Sequence, residues 1–155
     1  MTEHDANEGL EAIARIMDLV KFHMSESLKA DGQRLQLMEA HILRIVRQRE
    51  GCTQLDVVRE TRRDKGQIGK LVAALVARGL LVKKADPDDG RRQRLALTPA
   101  GDFIARQSMK HRSAIAKLLF SETSPADAEK LLISLRQLEG ALTSNTSAVR
   151  ETDAG

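Results

Sequence analysis

DPDDGRRQRLALTPAG, residues 86–101, is the stretch that decides the fold. A proline and a glycine within its first five residues indicate a tight reversal of the chain. Over residues 92–97 the side chains alternate with a period of two, which is typical of a half-buried strand, and residues 80–84 supply a partner strand. The stretch therefore predicts a β-hairpin whose tip sets three aspartates against two arginines: Asp86, Asp88, Asp89, Arg91 and Arg92.

The segments before the hairpin predict a helix-turn-helix. Thr53 is placed to cap a short helix, and Asp64 caps the next one, DKGQIGKLVAALVARG, which ends at Gly79. The outer face of this second helix begins with Lys65, Gln67 and Lys70. A short helix, a turn of three or four residues and a helix with basic and amide side chains in its first turns are typical of a DNA-binding helix-turn-helix. The hairpin that follows would be its wing.

Two apolar stripes of helical period lie near the two ends of the chain. The first contains Leu10, Ile13, Met17, Val20 and Met24, and the second contains Ala128, Leu131, Leu135, Leu138 and Leu142. Each stripe either covers the core of its own chain or packs against a second copy. Because both ends of this short chain are acidic and carry such a stripe, we favour a homodimer.

These patterns together predict one continuous, mainly α domain. It is a winged helix-turn-helix with six helices and a two-stranded β-hairpin, dimerising through its N- and C-terminal helices. The fifth and sixth helices begin at Thr98-Pro99 and Ser124-Pro125, each an N-cap residue followed by a proline. The expected parts are dimerisation helices at 1–30 and 98–147, the DNA-binding region at 31–97, and a flexible tail at 148–155.

The composition fits a soluble protein with a basic middle. A chain of 155 residues with 41% hydrophobic and 30% charged residues can bury a sizeable core. Between Arg59 and Arg94 eleven Lys and Arg accompany five Asp and Glu, whereas the rest of the chain has fourteen against seventeen. Such a distribution is typical of a polyanion-binding core. No apolar run approaches the roughly 18 to 20 residues that span a bilayer, and the N-terminus is acidic, so we expect a cytoplasmic protein without a membrane partner.

The sequence carries no signature of a metal site or an enzyme. Its single cysteine, Cys52, excludes an internal disulfide, and four scattered histidines give no zinc-ligand spacing. A glycine-rich phosphate loop and a GxSxG motif are also missing. We therefore expect no metal, no cofactor and no catalysis, although a catalytic site assembled only in three dimensions would escape this reasoning.

The hairpin and the helix before it resemble the MarR family of winged-helix transcriptional regulators. The family pattern of the wing is an Asp, one residue, an Arg, several residues, Leu-Thr and a Gly, here Asp89, Arg91, Leu97, Thr98 and Gly101. The preceding LVAALVARGLLVKK resembles the end of the family's recognition helix, and the order of elements matches from about residue 8 to 143. The resemblance implies a homodimer that binds a pseudo-palindromic operator and represses transcription until a small molecule or an oxidant releases it.

The resemblance also implies roles for individual residues. Arg91 would enter the minor groove with Asp89 as the brace of its guanidinium, and Arg92 would be a further DNA contact in a variable position. In the major groove the contacts would be Lys65, Gln67 and Lys70. The recognition helix departs from the family pattern at Gly66 and Gly69, which either allow close approach of the backbone to phosphate or are merely tolerated.

The sequence says less about the signal, a small molecule or an oxidant, that would control such a regulator than about its DNA contacts. His23, His41 and His111 fall on the first, second and fifth helices, where the resemblance places an effector site, but for each of them we favour an ordinary core or surface histidine. Cys52 precedes the helix-turn-helix, where oxidation would disturb DNA binding. We favour an idle thiol, since the family's redox sensors carry their cysteine in the first helix and no neighbour in the sequence clearly lowers the pKa of Cys52. A further alternative is a winged helix used for protein contacts without DNA.

Overall fold

The computed structural model describes the backbone of residues 1–152 and the side chains of residues 1–145. Its elements in chain order are α1 (Glu3–Ala30), α2 (Leu37–Gln48), α3 (Gln54–Thr61), α4 (Lys65–Ala77), β1 (Leu81–Ala85), β2 (Gln93–Leu97), α5 (Pro99–Leu119) and α6 (Pro125–Thr152). The predicted mainly α winged helix-turn-helix with six helices and one hairpin is confirmed. In the described part of the chain, no helix combines the length and the apolarity that crossing a membrane requires.

The chain divides into two compact units, Met1–Ile115 and Ala116–Gly155, and the boundary lies within α5. The core of the first unit is formed by α2, α3, α4, the hairpin and the start of α5. Its fully buried side chains include Ile42, Leu43, Val57, Ile68, Val72, Leu75 and Leu81. Burying each of these contributes about 1.5 to 3 kcal/mol. Ile104 and Ala105 of α5 belong to the same core, so the first turns of α5 pack against the winged helix.

The hairpin is bonded to the rest of the core along β2. Its two strands pair antiparallel, with Leu81 opposite Leu97. On its other edge β2 pairs with the segment that leads into α3: the Leu95 N–H donates to the Cys52 carbonyl at 2.7 Å, and Thr53 forms a bridge with Arg94. The part of β2 around Arg94 and Leu95, here called the wing base, is therefore held between β1 and the segment that leads into α3.

The junction between α4 and α5 explains the Thr and Gly of the hairpin motif. Gly79 has a φ of +69°, as expected for the residue that ends α4. The Thr98 hydroxyl donates to the Gly79 carbonyl at 2.6 Å and accepts from the Gly101 N–H at 3.0 Å. A Cβ at Gly101 would overlap the carbonyl oxygen and carbon of Leu80. Only glycine lets α5 begin this close to the backbone that follows α4.

The C-terminal helix extends further than the sequence predicts. A flexible tail was expected from residue 148, but α6 continues to Thr152, and residues 153–155 lie outside the described part. The flexibility of residues 148–155 stays a prediction. The physical reason for the longer helix is that residues 143–152 contain neither glycine nor proline. The hydroxyls of Thr143 and Ser144 also donate to the carbonyls of Glu139 and Gly140, so polar side chains are accommodated within the helix.

We predict that Gly101→Ala destabilises the protein by about 1 to 3 kcal/mol, because the added methyl group must displace backbone rather than a flexible side chain. Urea unfolding followed by circular dichroism would measure the change. Gly9→Ala in α1 is the control, since a Cβ there meets nothing within 4 Å, and it should stabilise by about 0.5 to 1 kcal/mol. Equal effects of the two substitutions would show that close approach does not require glycine at position 101.

Candidate nucleic-acid interface

The exposed face of α4 carries the residues expected in the major groove. Its buried face consists of Ile68, Val72 and Leu75. The exposed side chains of its first two turns are Lys65, Gln67 and Lys70, and within residues 1–145 none of these three forms an ion pair or a side-chain hydrogen bond. Farther along the helix the exposed positions are Ala73, Ala74 and Ala77. Only the beginning of α4 therefore carries long polar side chains that can contact a ligand.

The N-terminus of α4 is ordered by a single cap. The Asp64 carboxylate accepts from the Gln67 N–H at 2.9 Å, which satisfies one of the free donors of the first turn. Gln67 uses only its backbone in this cap. Its side-chain amide, which can donate and accept at the same time, stays exposed to solvent.

The two glycines of α4 have neighbours within the protein. A Cβ at Gly69 would lie 3.3 Å from Nε2 of Gln54 in α3, and a Cβ at Gly66 would lie 3.1 Å from Oδ1 of Asp64. Both distances are shorter than ordinary van der Waals contact. An alanine at either position would therefore require a neighbouring side chain to shift by a few tenths of an ångström.

The hairpin tip exposes Arg91 and Arg92, and no ion pair of the described residues involves either guanidinium. Asp89 holds the tip through the backbone: its Oδ1 accepts from the Arg91 N–H at 3.0 Å, and its carbonyl accepts from the Arg92 N–H at 2.9 Å. The expected pair between Asp89 and the Arg91 guanidinium is therefore absent. An aspartate two residues before an N–H in a turn readily accepts from that N–H, and this local bond occupies the carboxylate.

The bidentate pair of the hairpin joins Asp86 to Arg94, two residues that were not among the predicted site residues. Nε of Arg94 donates to Oδ2 of Asp86 at 2.8 Å, and Nη2 donates to Oδ1 at 3.1 Å. Asp86 is only 8% exposed. Hydrogen bonds from Arg94 and from the Asp88 N–H lower the pKa of Asp86, so it is ionised at neutral pH.

The hairpin register contains the signal that would have found this pair. Lys84 lies opposite Arg94, and Asp86 follows Lys84 by two residues, on the same face of the hairpin. An acid and an arginine in such diagonal positions are within reach of each other. Counting charges along the chain does not reveal this relation, because it depends on which residues the turn brings opposite each other.

The three histidines expected at an effector site have different surroundings. His23 is exposed and its ring contacts Phe22, and His111 Nε2 lies 2.5 Å from Oδ2 of Asp31. Burial lowers the pKa of His41, and the guanidinium groups of Arg44 and Arg112 lower it further. No hydrogen bond or ring contact joins two of these histidines within residues 1–145. A shared effector site at these residues stays a prediction.

The single thiol is buried between the wing base and α3. Cys52 is fully buried, and its Sγ lies 3.5 Å from the carbonyl oxygen of Thr53. Burial, and then the nearby Asp56 carboxylate, raise the pKa of the Cys52 thiol to about 11. The thiol is therefore protonated at neutral pH and shielded from oxidants, both of which make it a poor nucleophile.

Comparison with known proteins agrees with this geometry. Residues 35–92, from just before α2 to the end of the hairpin tip, match the model of the MarR family. This range contains the whole helix-turn-helix and every predicted DNA-contact residue. No curated protein matches the sequence.

Solved structures share the fold over most of the chain. The S. aureus MepR–DNA complex has a TM-score of 0.75 and 20% identity, with 84% of this chain and 94% of that chain covered. Bordetella bronchiseptica BpsR, whose DNA binding is regulated by 6-hydroxynicotinic acid, has a TM-score of 0.69 and 22% identity, with coverage of 83% and 91%. CouR from Rhodococcus jostii RHA1, bound to p-coumaroyl-CoA, has a TM-score of 0.71 and 23% identity, with coverage of 82% and 88%. The helix-turn-helix region, residues 35–92, is thus similar in sequence to the MarR family, and the chain shares the winged-helix fold of these solved structures over most of its length.

Proposed function

We propose that this protein is a homodimeric repressor that binds a pseudo-palindromic operator and leaves it when a small organic effector binds. The observation that carries the proposal is the set of exposed polar side chains on the winged helix: Lys65, Gln67, Lys70, Arg91 and Arg92. The four cations of this set have no protein partner among the described residues. They can neutralise phosphates without first breaking an ion pair, and phosphate neutralisation supplies most of the affinity in DNA binding.

The two elements of the interface suit different grooves. The first turns of α4 present the Gln67 amide, which can donate to and accept from an adenine edge in the major groove, between Lys65 and Lys70, which can reach guanine or phosphate. The hairpin tip presents Arg91, and narrow A·T-rich minor grooves concentrate the negative potential that attracts arginine. We therefore assign recognition of DNA bases to Gln67, and we assign recognition of the shape of the minor groove to Arg91.

Exposed apolar side chains on the terminal helices support the dimer. Helix α1 has 28 residues but buries only Leu28. Leu19 and Phe22 are each 59% exposed, and Leu138 of α6 is 52% exposed. Apolar faces of this extent usually mark an interaction surface. A dimer formed through these helices would place its two recognition helices in successive major grooves, about 10 bp apart.

The surroundings of His41 support an anionic effector. Burial and the guanidinium groups of Arg44 and Arg112 lower the pKa of its imidazole, and the Glu60 carboxylate offsets part of this effect, so two guanidinium groups face one carboxylate near His41. A carboxylate or phenolate would be attracted to this side of α2 and α5. Two of the structural neighbours respond to or bind organic ligands, 6-hydroxynicotinic acid and p-coumaroyl-CoA, which agrees with an organic effector here.

The operator can be found by selecting DNA fragments that the purified protein binds and sequencing them. We expect a two-fold symmetric site with half-sites one helical turn apart, and binding that weakens steeply as salt rises. The same complex then serves to screen organic acids. An acid that is an effector should release the DNA and raise the thermal stability of the free protein. Recovery of no sequence above background would favour the alternative in which the winged helix contacts proteins.

Two substitutions separate the proposed roles of α4 and the wing. On the selected operator, Gln67→Ala should reduce the preference for one base by about 1 to 3 kcal/mol while other positions stay unchanged. Arg91→Ala should weaken binding about tenfold, the loss expected of one good groove contact. Asp89→Ala should weaken binding less, since it only loosens the tip. Lys110→Ala, which removes an exposed cation of α5, is the control; an Arg91 variant that behaves like it would show that the wing does not contact DNA.

The buried thiol gives the redox alternative a direct test. We predict that Cys52 in the native protein reacts with a thiol reagent at pH 7.5 at least about a hundredfold more slowly than in urea, because it is both shielded and protonated. Peroxide should accordingly leave operator binding unchanged, and Cys52→Ala should respond as the natural chain does. Rapid labelling of the native protein together with loss of DNA binding on oxidation would restore Cys52 as a sensor.

A further inference from the structure

Asp86 is the most connected side chain of the hairpin. Besides the two bonds to Arg94, its Oδ1 accepts from the N–H groups of Asp88 at 2.9 Å and Asp89 at 3.4 Å. Its own N–H donates to the Arg92 carbonyl at 2.9 Å, which closes the loop that carries Arg91. One nearly buried carboxylate therefore orders the tip and at the same time binds the strand that leaves it.

Arg94 connects this carboxylate to the helix-turn-helix. A Cβ at Gly51 would lie 3.3 Å from Nη1 of Arg94, so the guanidinium is in close contact with the turn between α2 and α3. Gly51 has a φ of +69°, which favours glycine there as well. The backbone of Arg94 forms the bridge with Thr53, the N-cap residue of α3. Asp86, Arg94 and the start of α3 thus form one continuous set of contacts.

The charge of Arg94 is already compensated within the protein. Asp86 contacts it at 2.8 Å, and Asp88 lies 3.8 Å from its Nη2. Arg91 and Arg92 have no such partner in the described residues. Arg94 therefore differs from the other arginines of the hairpin although all three are counted as basic residues in the sequence.

We infer that Asp86 and Arg94 are a positioning pair, which fixes the angle of the wing against the helix-turn-helix so that Arg91 is presented to the minor groove. The inference rests on the proposed DNA-binding function and assigns DNA contact to neither residue. A bidentate pair suits this task, because two parallel hydrogen bonds fix the orientation of the guanidinium as well as its distance.

The sign of the effect of Asp86→Asn tests the inference. Removing an acid from a DNA-binding surface ordinarily strengthens binding through electrostatics. If the pair positions the wing, Asp86→Asn should instead weaken operator binding about three- to tenfold, which lies within the range of coupling between contacting groups. Asp88→Asn is the matched control: it removes the same charge from the same hairpin, but its carboxylate is 3.8 Å from Nη2 of Arg94, beyond hydrogen-bond distance, and its side chain is 92% exposed. Its affinity should therefore be equal or higher. Equal or tighter binding by Asp86→Asn would overturn the inference.

A double-mutant cycle with Arg91 shows whether the pair acts through the wing tip. When Arg91→Ala has already removed the groove contact, Asp86→Asn should have no additional effect, so the double variant binds like Arg91→Ala alone. Additive losses would mean that Asp86 acts elsewhere, and would overturn the inference. All affinities are measured where circular dichroism shows each variant to be fully folded.

Arg94→Lys serves as the second variant if Asp86→Asn fails to fold. Lysine keeps the positive charge but cannot form the bidentate pair. If the pair positions the wing, Arg94→Lys should weaken DNA binding in the natural chain but should cause no further loss in the Arg91→Ala variant. Unchanged binding would show that a charge at position 94 suffices, and would overturn the inference. Failure of the natural chain to bind any DNA would instead overturn the proposed function, and the two failures are therefore distinguishable.

Discussion

The hydrogen bonding of β2 on both of its edges is the constraint on which the arrangement of this molecule depends. One edge pairs with β1, which follows α4 directly, and the other pairs with the segment that leads into α3. At the centre of the strand, Leu95 is buried and its N–H bonds to the Cys52 carbonyl. Because α5 follows β2 after a single residue, the same strand also determines where that helix begins.

Some ion pairs of this fold lie within one helix, and others join two elements. Of the second kind, Arg78 reaches the nearly buried Glu39 at 3.3 Å and connects α4 to α2, and Arg47 reaches Asp102 at 3.0 Å and connects α2 to α5. The cations of the proposed interface have no partner among the described residues. An exposed ion pair contributes little to stability, so the distinction matters mainly for function: paired cations hold the elements in place, and unpaired ones remain available to phosphates.

The elements could be predicted from the sequence because their boundaries depend on local chemistry. Thr53 and Asp64 cap their helices through bonds to residues three positions away, and Gly79 ends α4 with the left-handed backbone that glycine allows. The exposed face of α4 followed from helical periodicity alone.

The role of the hairpin acids could not be predicted in this way. Asp86 and Asp89 lie in the same short stretch as Arg91, Arg92 and Arg94, and only the pairing register decides which of the two carboxylates reaches a guanidinium. The burial of Cys52 could not be predicted either, because it depends on contact with β2, which lies more than forty residues later in the chain. The C-terminal end of α6 could not be located from the sequence either, because a segment with little to bury can still be helical when it lacks glycine and proline.

The alanine surface beyond Lys70 limits how much sequence information one copy of the chain can extract from DNA. If α4 lies in the major groove as proposed, Gln67 and two lysines are its only long side chains in reach of base edges, and Ala73, Ala74 and Ala77 offer at most contact with thymine methyl groups. A half-site read by so few groups specifies few base pairs. Discrimination among the many near-matches in a genome would then depend on the spacing of two half-sites and on the deformability of the DNA between them. Such a regulator tolerates base changes within a half-site better than the insertion of a single base pair between the half-sites.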